Sequence, residues 1–126
     1  MSQLPMSVLL VDDDPHVCEV FRLVMNHHHI PLTILGDAET AIDYLKDKSH
    51  DVIVMDIFLP GMDGYQALKR IRQSALVPDC RVIATTAYYT NDTEQDTINR
   101  GFDGYMPKPI NSNKLVQYLQ SVVDRP

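Results

Sequence analysis

Six residues in this sequence have the types and positions to act together on a charged group: Asp12, Asp13, Asp14, Asp56, Thr86 and Lys108. The apolar run Val8–Val11 ends in the three adjacent aspartates, and the run Val52–Met55 ends in Asp56. Thr86 closes the run Val82–Thr85, and Lys108 follows a weaker run around Gly104–Met106. Three carboxylates in one cleft repel one another unless a cation sits among them or one stays protonated. An all-oxygen donor set with few protein ligands favours magnesium, which keeps waters and binds beside phosphate. An aspartate after a strand often does no more than cap a helix, and Asp14 is placed to do that. Asp56 is harder to explain so simply. It follows Val-Ile-Val-Met and precedes Ile57, Phe58 and Leu59, where a carboxylate without a partner is costly. Lys108, wedged between Pro107 and Pro109, is equally hard to read as a solvated surface charge. The prolines restrict its backbone, and a cis bond before Pro109 would aim it into the cleft.

These residues can meet only if strand ends bring them together. Five short apolar runs recur: Val8–Val11, Leu32–Leu35, Val52–Met55, Val82–Thr85 and Gly104–Met106. The first, third and fourth are continuous rather than alternating, which suits strands covered on both faces. Between them lie helical stripes at i, i+3, i+4 and i+7: Val17, Val20, Phe21, Val24; Ala38, Ala41, Ile42, Leu45; Gly64, Ala67, Leu68, Ile71. A last stripe, Leu115, Tyr118, Leu119 and Val122, follows the fifth run. Asp14 caps the first helix with Pro15 at its first position. Asn91 and Glu94 have capping-box spacing, and Gly101 fits the end of that helix. Strands alternating with helices predict an α/β fold: a doubly wound, five-stranded parallel sheet with helices on both faces. Ligands of such sheets bind beyond the carboxyl ends of the strands, where strand order reverses. In the flavodoxin-like order 2-1-3-4-5 the first and third strands are neighbours, so Asp12, Asp13 and Asp56 converge.

The 126 residues suffice for one domain, with a core expected over about 7–123 and residues 124–126 as the start of a linker. Lys and Arg number 11 against 17 Asp and Glu, a net charge of −6 that disfavours a nucleic-acid backbone as a direct partner. Cys18 and Cys80 cannot form a disulfide framework, and reduced thiols suit a cytoplasmic location. No apolar run approaches the roughly eighteen residues of a membrane span, and Met1–Met6 does not read as a signal peptide.

Four motifs, taken in order, resemble the response-regulator receiver family. They are Val8-Leu9-Leu10-Val11-Asp12-Asp13-Asp14, Asp56-Ile57-Phe58-Leu59-Pro60-Gly61-Met62-Asp63-Gly64, Ala84-Thr85-Thr86-Ala87 and Gly104-Tyr105-Met106-Pro107-Lys108-Pro109. Asp13, Asp56, Thr86 and Lys108 are separated by intervals of 43, 30 and 22 residues, and the resemblance runs from Ser7 to about Val123. It implies a phosphorylation-dependent switch of a two-component system or phosphorelay. Asp56 then matches the phosphoacceptor, which takes a phosphoryl group from phosphohistidine on a sensor histidine kinase or histidine phosphotransfer protein. Asp13 matches the acidic Mg2+ ligand, with Asp12 beside it, Asp56 itself and the Phe58 backbone carbonyl completing the set. Thr86 matches the hydroxyl residue that bonds the phosphoryl group, Lys108 its cationic partner, and Tyr105 the aromatic residue whose rotamer tracks that state. Such a domain catalyses only its own phosphorylation and dephosphorylation. The downstream effector and any homodimer are left open by the resemblance.

The residue types fit this chemistry on their own terms. A carboxylate is a weak nucleophile, but a metal and a lysine neutralise charge developing on transferred phosphoryl oxygens. Phe58 and Tyr88 depart from the polar residues many relatives carry at those places, and neither is suited to orient water, which bears on phosphoryl lifetime. Three rival readings are weaker. A flavin or nucleotide site needs a Gly- or Ser/Thr-rich loop where Asp12–Asp14 stand. An aspartyl phosphatase normally needs an acid where Phe58 stands. A degenerate receiver acting only as an interaction module would not need every acceptor-site residue type. Elsewhere, His27-His28-His29 reads as helix termination favoured by the helix dipole rather than a metal site. Cys18 lies just off the first stripe and Cys80 precedes the fourth strand, both as packed or rim thiols. The polar helix Asn91–Arg100 has Ile98 as its main apolar anchor and is expected to be loosely packed.

Overall fold

Successive side chains of a strand point to opposite faces, so a strand covered on both sides shows no polar alternation. The computed structural model, which describes residues 6–73 and 80–126, has this arrangement. Of the opening stretch Met1–Met6, only Met6 lies among the described residues. In chain order the elements are β1 (Val8–Val11), α1 (Pro15–His27), β2 (Leu32–Leu35), α2 (Ala38–Tyr44), β3 (Val52–Asp56), α3 (Gly64–Gln73), β4 (Arg81–Thr86), α4 (Thr93–Asn99), β5 (Gly104–Pro107) and α5 (Leu115–Val123). The strands form one parallel sheet of order β2-β1-β3-β4-β5, as the sequence predicts. Leu9, Val11, Ile53, Met55, Val82 and Ala84 pack on one face against Ala38, Ala41, Ala67, Leu68 and Ile71 of α2 and α3. On the other face, Val8, Leu10, Val52, Val54 and Ile83 pack against Val17, Phe21 and Met25 of α1 and Leu115, Leu119 and Val122 of α5.

The strands that carry the site run further than their apolar runs. β3 continues into Asp56, which pairs with Thr85, and β4 continues into Thr86, which pairs with Pro107. Main-chain pairing therefore fixes both residues. The short β5 lies close to α5 because Gly104 has no side chain. A Cβ there would stand 2.6 Å from the Tyr118 hydroxyl, which accepts from the Tyr105 N–H at 2.8 Å.

Helix ends follow the expected chemistry in α1 and depart from it in α4. Asp14 accepts from the His16 N–H at 2.9 Å, with Pro15 opening α1. At the other end His29 takes a left-handed φ of 57°. Its N–H donates to Asn26 O at 3.2 Å, and the Ile30 N–H donates to Met25 O at 2.9 Å. These two bonds make a Schellman end, so the three histidines terminate the helix. The buried stripe of α1 is Val17, Cys18, Phe21 and Met25, rotated from the expected set, with Val20 and Val24 only partly covered. Cys18 is thus a core residue. In α4 the expected Asn91–Glu94 capping box is replaced. The helix begins at Thr93, whose hydroxyl accepts from the Thr90 N–H at 2.8 Å, and Asp92 at the cap position makes no side-chain cap bond. Nor is Ile98 the anchor, being 40% exposed. Thr97 is the buried residue of α4, its hydroxyl satisfied by Glu94 O at 2.8 Å. Gly101 does follow the helix end, at φ 110°.

Candidate functional site

The carboxyl ends of β1, β3, β4 and β5 meet at one end of the sheet and deliver Asp12 and Asp13, Asp56, Thr86 and Lys108 in turn. Asp12 and Asp56 are both fixed by local turns in which the carboxylate accepts from an N–H two residues on. The Asp14 N–H donates to Asp12 Oδ1 at 2.9 Å, and the Phe58 N–H donates to Asp56 Oδ1 at 2.9 Å. Such turns hold an aspartate in one orientation without using a second side chain. Asp12 is 1% exposed and Asp56 7%, whereas Asp13 is open to solvent. Asp12, Asp13 and Asp56 each offer a carboxylate oxygen within 4.8 Å of the others. This is the only such cluster of three or more ligand-type residues among the described residues.

Lys108 is brought in by the end of β5. Its N–H donates to Thr86 O at 3.0 Å, and the Lys108–Pro109 bond is cis. The ammonium, nearly buried, lies 3.1 Å from Asp12 Oδ2, 3.1 Å from Asp56 Oδ2 and 3.7 Å from Asp14 Oδ2. The contact with Asp12 Oδ2 is close but poorly directed; the hydrogen bond to that residue goes to Oδ1 at 3.4 Å. Asp12 Oδ2 is left buried with no hydrogen-bond partner. One ammonium thus faces three carboxylates, with that of Asp13 close by. Burial pushes the Asp12 carboxyl above its ordinary range, opposed by the Asp14 N–H and Lys108 and reinforced by the charge of Asp56. Burial alone would lower Lys108, but its bonds and attraction to Asp12 and Asp56 outweigh it and hold the ammonium above its ordinary 10.5. A pocket with an orphaned carboxylate oxygen, two further carboxylates and surplus negative charge fits a small hard dication such as Mg2+.

The remaining sequence-selected residues form the rim. Thr86 is fully buried, and its hydroxyl accepts from the Tyr88 N–H at 3.0 Å and donates to Tyr88 O at 3.4 Å. Thr86 therefore stands beside the cleft with its hydroxyl engaged by its own loop. Phe58 and Tyr88 are exposed, at 56% and 76%, and contact each other edge to face with centroids 5.7 Å apart and planes at 89°. Tyr105 is half-buried against the α2–α3 side of the core, its hydroxyl without a partner. Burial, then the charges of Tyr89, Glu94 and Tyr65, push that hydroxyl's pKa upward.

Two positions escape a reading of the sequence. Gly64 stands there as a member of a helical stripe and as the end of the second motif, with no role of its own, yet a Cβ on it would come within 2.6 Å of Ile57 Cα and 3.0 Å of Asp56 O. Only glycine lets α3 start against the backbone of Asp56, and the Gly64 N–H donates to Ile57 O at 3.0 Å. Thr85, register partner of Asp56, is buried with an unpaired hydroxyl. The available signal for Gly64 is its neighbour Asp63, which caps α3 by accepting from the Gln66 N–H at 2.9 Å.

Comparison with known proteins bears directly on this arrangement of strand-end carboxylates and lysine. A sequence model of the response regulator receiver domain matches residues 8–120. The chain belongs to the response regulator receiver family. A putative response regulator of Chloroflexus aurantiacus superposes with a TM-score of 0.87 at 28% identity, covering 97% of this chain and 100% of the other. The receiver domain of a sensor histidine kinase of Pseudomonas aeruginosa, described with magnesium coordinated in its active-site cleft, superposes at 0.84 with 27% identity, covering 97% and 100%. Among curated proteins, the transcriptional regulatory protein CpxR of Escherichia coli is 30% identical over 118 residues, 94% of this chain and 49% of CpxR. A probable histidine kinase 2 of Oryza sativa is 32% identical over 133 aligned positions, 93% of this chain but 13% of the kinase. This receiver domain thus spans about half the length of CpxR and a smaller part of the kinase. Among the described residues no helix is long and apolar enough to cross a membrane.

Proposed function

We propose that this receiver domain is a phosphorylation-operated switch with Asp56 as its phosphoacceptor. A carboxylate oxygen of Asp56 attacks phosphorus, the phosphorus–nitrogen bond of a phosphohistidine breaks, and the imidazole nitrogen leaves with the bonding pair and is protonated from solvent. The product on this chain is an acyl phosphate. The donor is a histidine kinase or a histidine phosphotransfer protein, and the reaction belongs to the cytoplasm. Asp12, Asp13, Asp56 and the Phe58 backbone carbonyl would hold Mg2+, which when bound supplies positive charge for the transferring phosphoryl oxygens. Lys108, 3.1 Å from Asp56, supplies a second positive charge. Thr86 donates its hydroxyl to the phosphoryl group once it is in place, and Tyr105 follows that movement in the adjoining loop.

The observation that carries this reading is the convergence of Asp12, Asp13 and Asp56 within 4.8 Å, with one ammonium 3.1 Å from two of them. The test is intact mass after incubation with acetyl phosphate or a phosphohistidine donor. One phosphoryl addition is expected with magnesium and none with a chelator; addition independent of the metal would overturn the reading.

Metal binding through Asp13 is separately measurable. Asp13 is the exposed member of the cluster, so Asp13→Ala removes a ligand without opening the core. The variant should lose most of the magnesium-induced rise in melting temperature, a rise that follows from binding the folded state alone. An equal rise in wild type and variant would place the metal elsewhere.

Phosphoryl lifetime should be long. Hydrolysis needs an in-line water held by hydrogen-bond partners near phosphorus, and the apolar Phe58 and Tyr88 rings meet over the rim. Phe58→Asn and Tyr88→Glu, singly and together, should accelerate autodephosphorylation severalfold. Rates unchanged or slower would mean that these side chains do not govern water access.

A further inference from the structure

A closed circuit of contacts runs through the acceptor. The Phe58 N–H donates to Asp56 Oδ1 at 2.9 Å, and the Phe58 ring meets the Tyr88 ring edge to face. The Tyr88 N–H in turn donates to Thr86 Oγ1, whose proton goes back to Tyr88 O. Pairing of Asp56 with Thr85 closes the circuit through the sheet. The consequence concerns Thr86. A hydroxyl has a single proton to donate, and here that proton is directed at the Tyr88 carbonyl. To donate to a phosphoryl oxygen, Thr86 must give up Tyr88 O, and the same residue rests its ring on Phe58.

On the reading of Asp56 as phosphoacceptor, we propose that Tyr88 is a positioning residue for Thr86: its ring, held on Phe58, keeps the Thr86 hydroxyl on the loop backbone and opposes its turn toward the phosphoryl group. The aromatic contact thereby biases the domain toward its unphosphorylated arrangement. Both rings are largely exposed, so removing one leaves no cavity in the core. The bias is the strength of one edge-to-face pair, which corresponds to about three- to tenfold in an equilibrium constant.

The test is titration of the 126-residue protein with beryllofluoride, a phosphoryl mimic, in saturating magnesium, followed by fluorine NMR of the bound species. Tyr88→Ala should bind about three- to tenfold more tightly than wild type. Tyr88→Phe, which keeps the ring contact, should restore wild-type affinity. In a Thr86→Ala background, Tyr88→Ala should have no effect, because the hydroxyl it positions is gone. A pure steric effect on access would survive in that background and would overturn the proposal. So would unchanged or weaker binding by Tyr88→Ala. Absence of any uptake by wild type overturns the phosphoacceptor reading and this one with it; uptake indifferent to Tyr88 overturns this one alone.

Discussion

Asp56→Asn should show no phosphoryl mass gain under conditions in which the wild-type protein becomes fully modified. The expected effect is complete because the substitution removes the nucleophile rather than a supporting group. An amide oxygen carries no formal charge and does not form a stable phosphoryl adduct, whereas a carboxylate does so once nearby positive charge offsets the incoming phosphoryl oxygens. The geometry lets the variant fold. The introduced amide can still accept the Phe58 N–H through its remaining oxygen, and it occupies the same volume in a position that is 7% exposed. Losing one of the three clustered carboxylates also relieves repulsion around Asp12, so thermal stability without metal should be equal or higher. Intact mass of both proteins after acetyl phosphate treatment, and the acid lability of the wild-type adduct, read the outcome. A mass gain retained by the Asn variant would show that another side chain is the acceptor.

The fold was legible because strand burial leaves a compositional trace. Val8–Val11, Val52–Met55 and Val82–Thr85 show no polar alternation since both faces of the sheet are covered, and they end directly at Asp12, Asp56 and Thr86. What the sequence lacked was rotation and close approach. The stripe of Val17, Val20, Phe21 and Val24 is helical in period. The face that meets the sheet is nonetheless centred on Val17, Cys18, Phe21 and Met25, and periodicity alone does not choose between faces one residue apart. The burial of Thr97 instead of Ile98 follows from a hydroxyl satisfied within its own helix, which composition does not reveal. Gly64 and the Thr86–Tyr88 bonds are likewise matters of distance. The site's chemical types could be read from four motifs; the present engagement of Thr86 by its own loop could not.

Lys108→Met tests the charge balance itself, since its two expected effects have opposite signs. The ammonium touches buried Asp12 and Asp56 at 3.1 Å each, and removing one partner of a buried ion pair costs about 3–5 kcal/mol because the other charge stays buried. Partial protonation of Asp12, already pushed upward by burial, will recover some of that loss. In a chelator the variant should therefore melt well below wild type. Magnesium affinity should move the other way. A dication bound to these carboxylates would be repelled by the ammonium; for charges of two and one within about 4–8 Å that repulsion is about 1–2 kcal/mol even at the dielectric of water, roughly tenfold in affinity. The variant should bind magnesium about tenfold more tightly, and saturating metal should return much of the lost stability. Phosphoryl transfer should nevertheless be slower, because the second positive charge on the transferred oxygens is gone. Calorimetric titration and thermal melts with and without magnesium read both signs. Unchanged stability would mean that solvent, rather than Lys108, compensates Asp12. Weaker metal binding would mean that the ammonium organises the carboxylates for the ion more than it repels it.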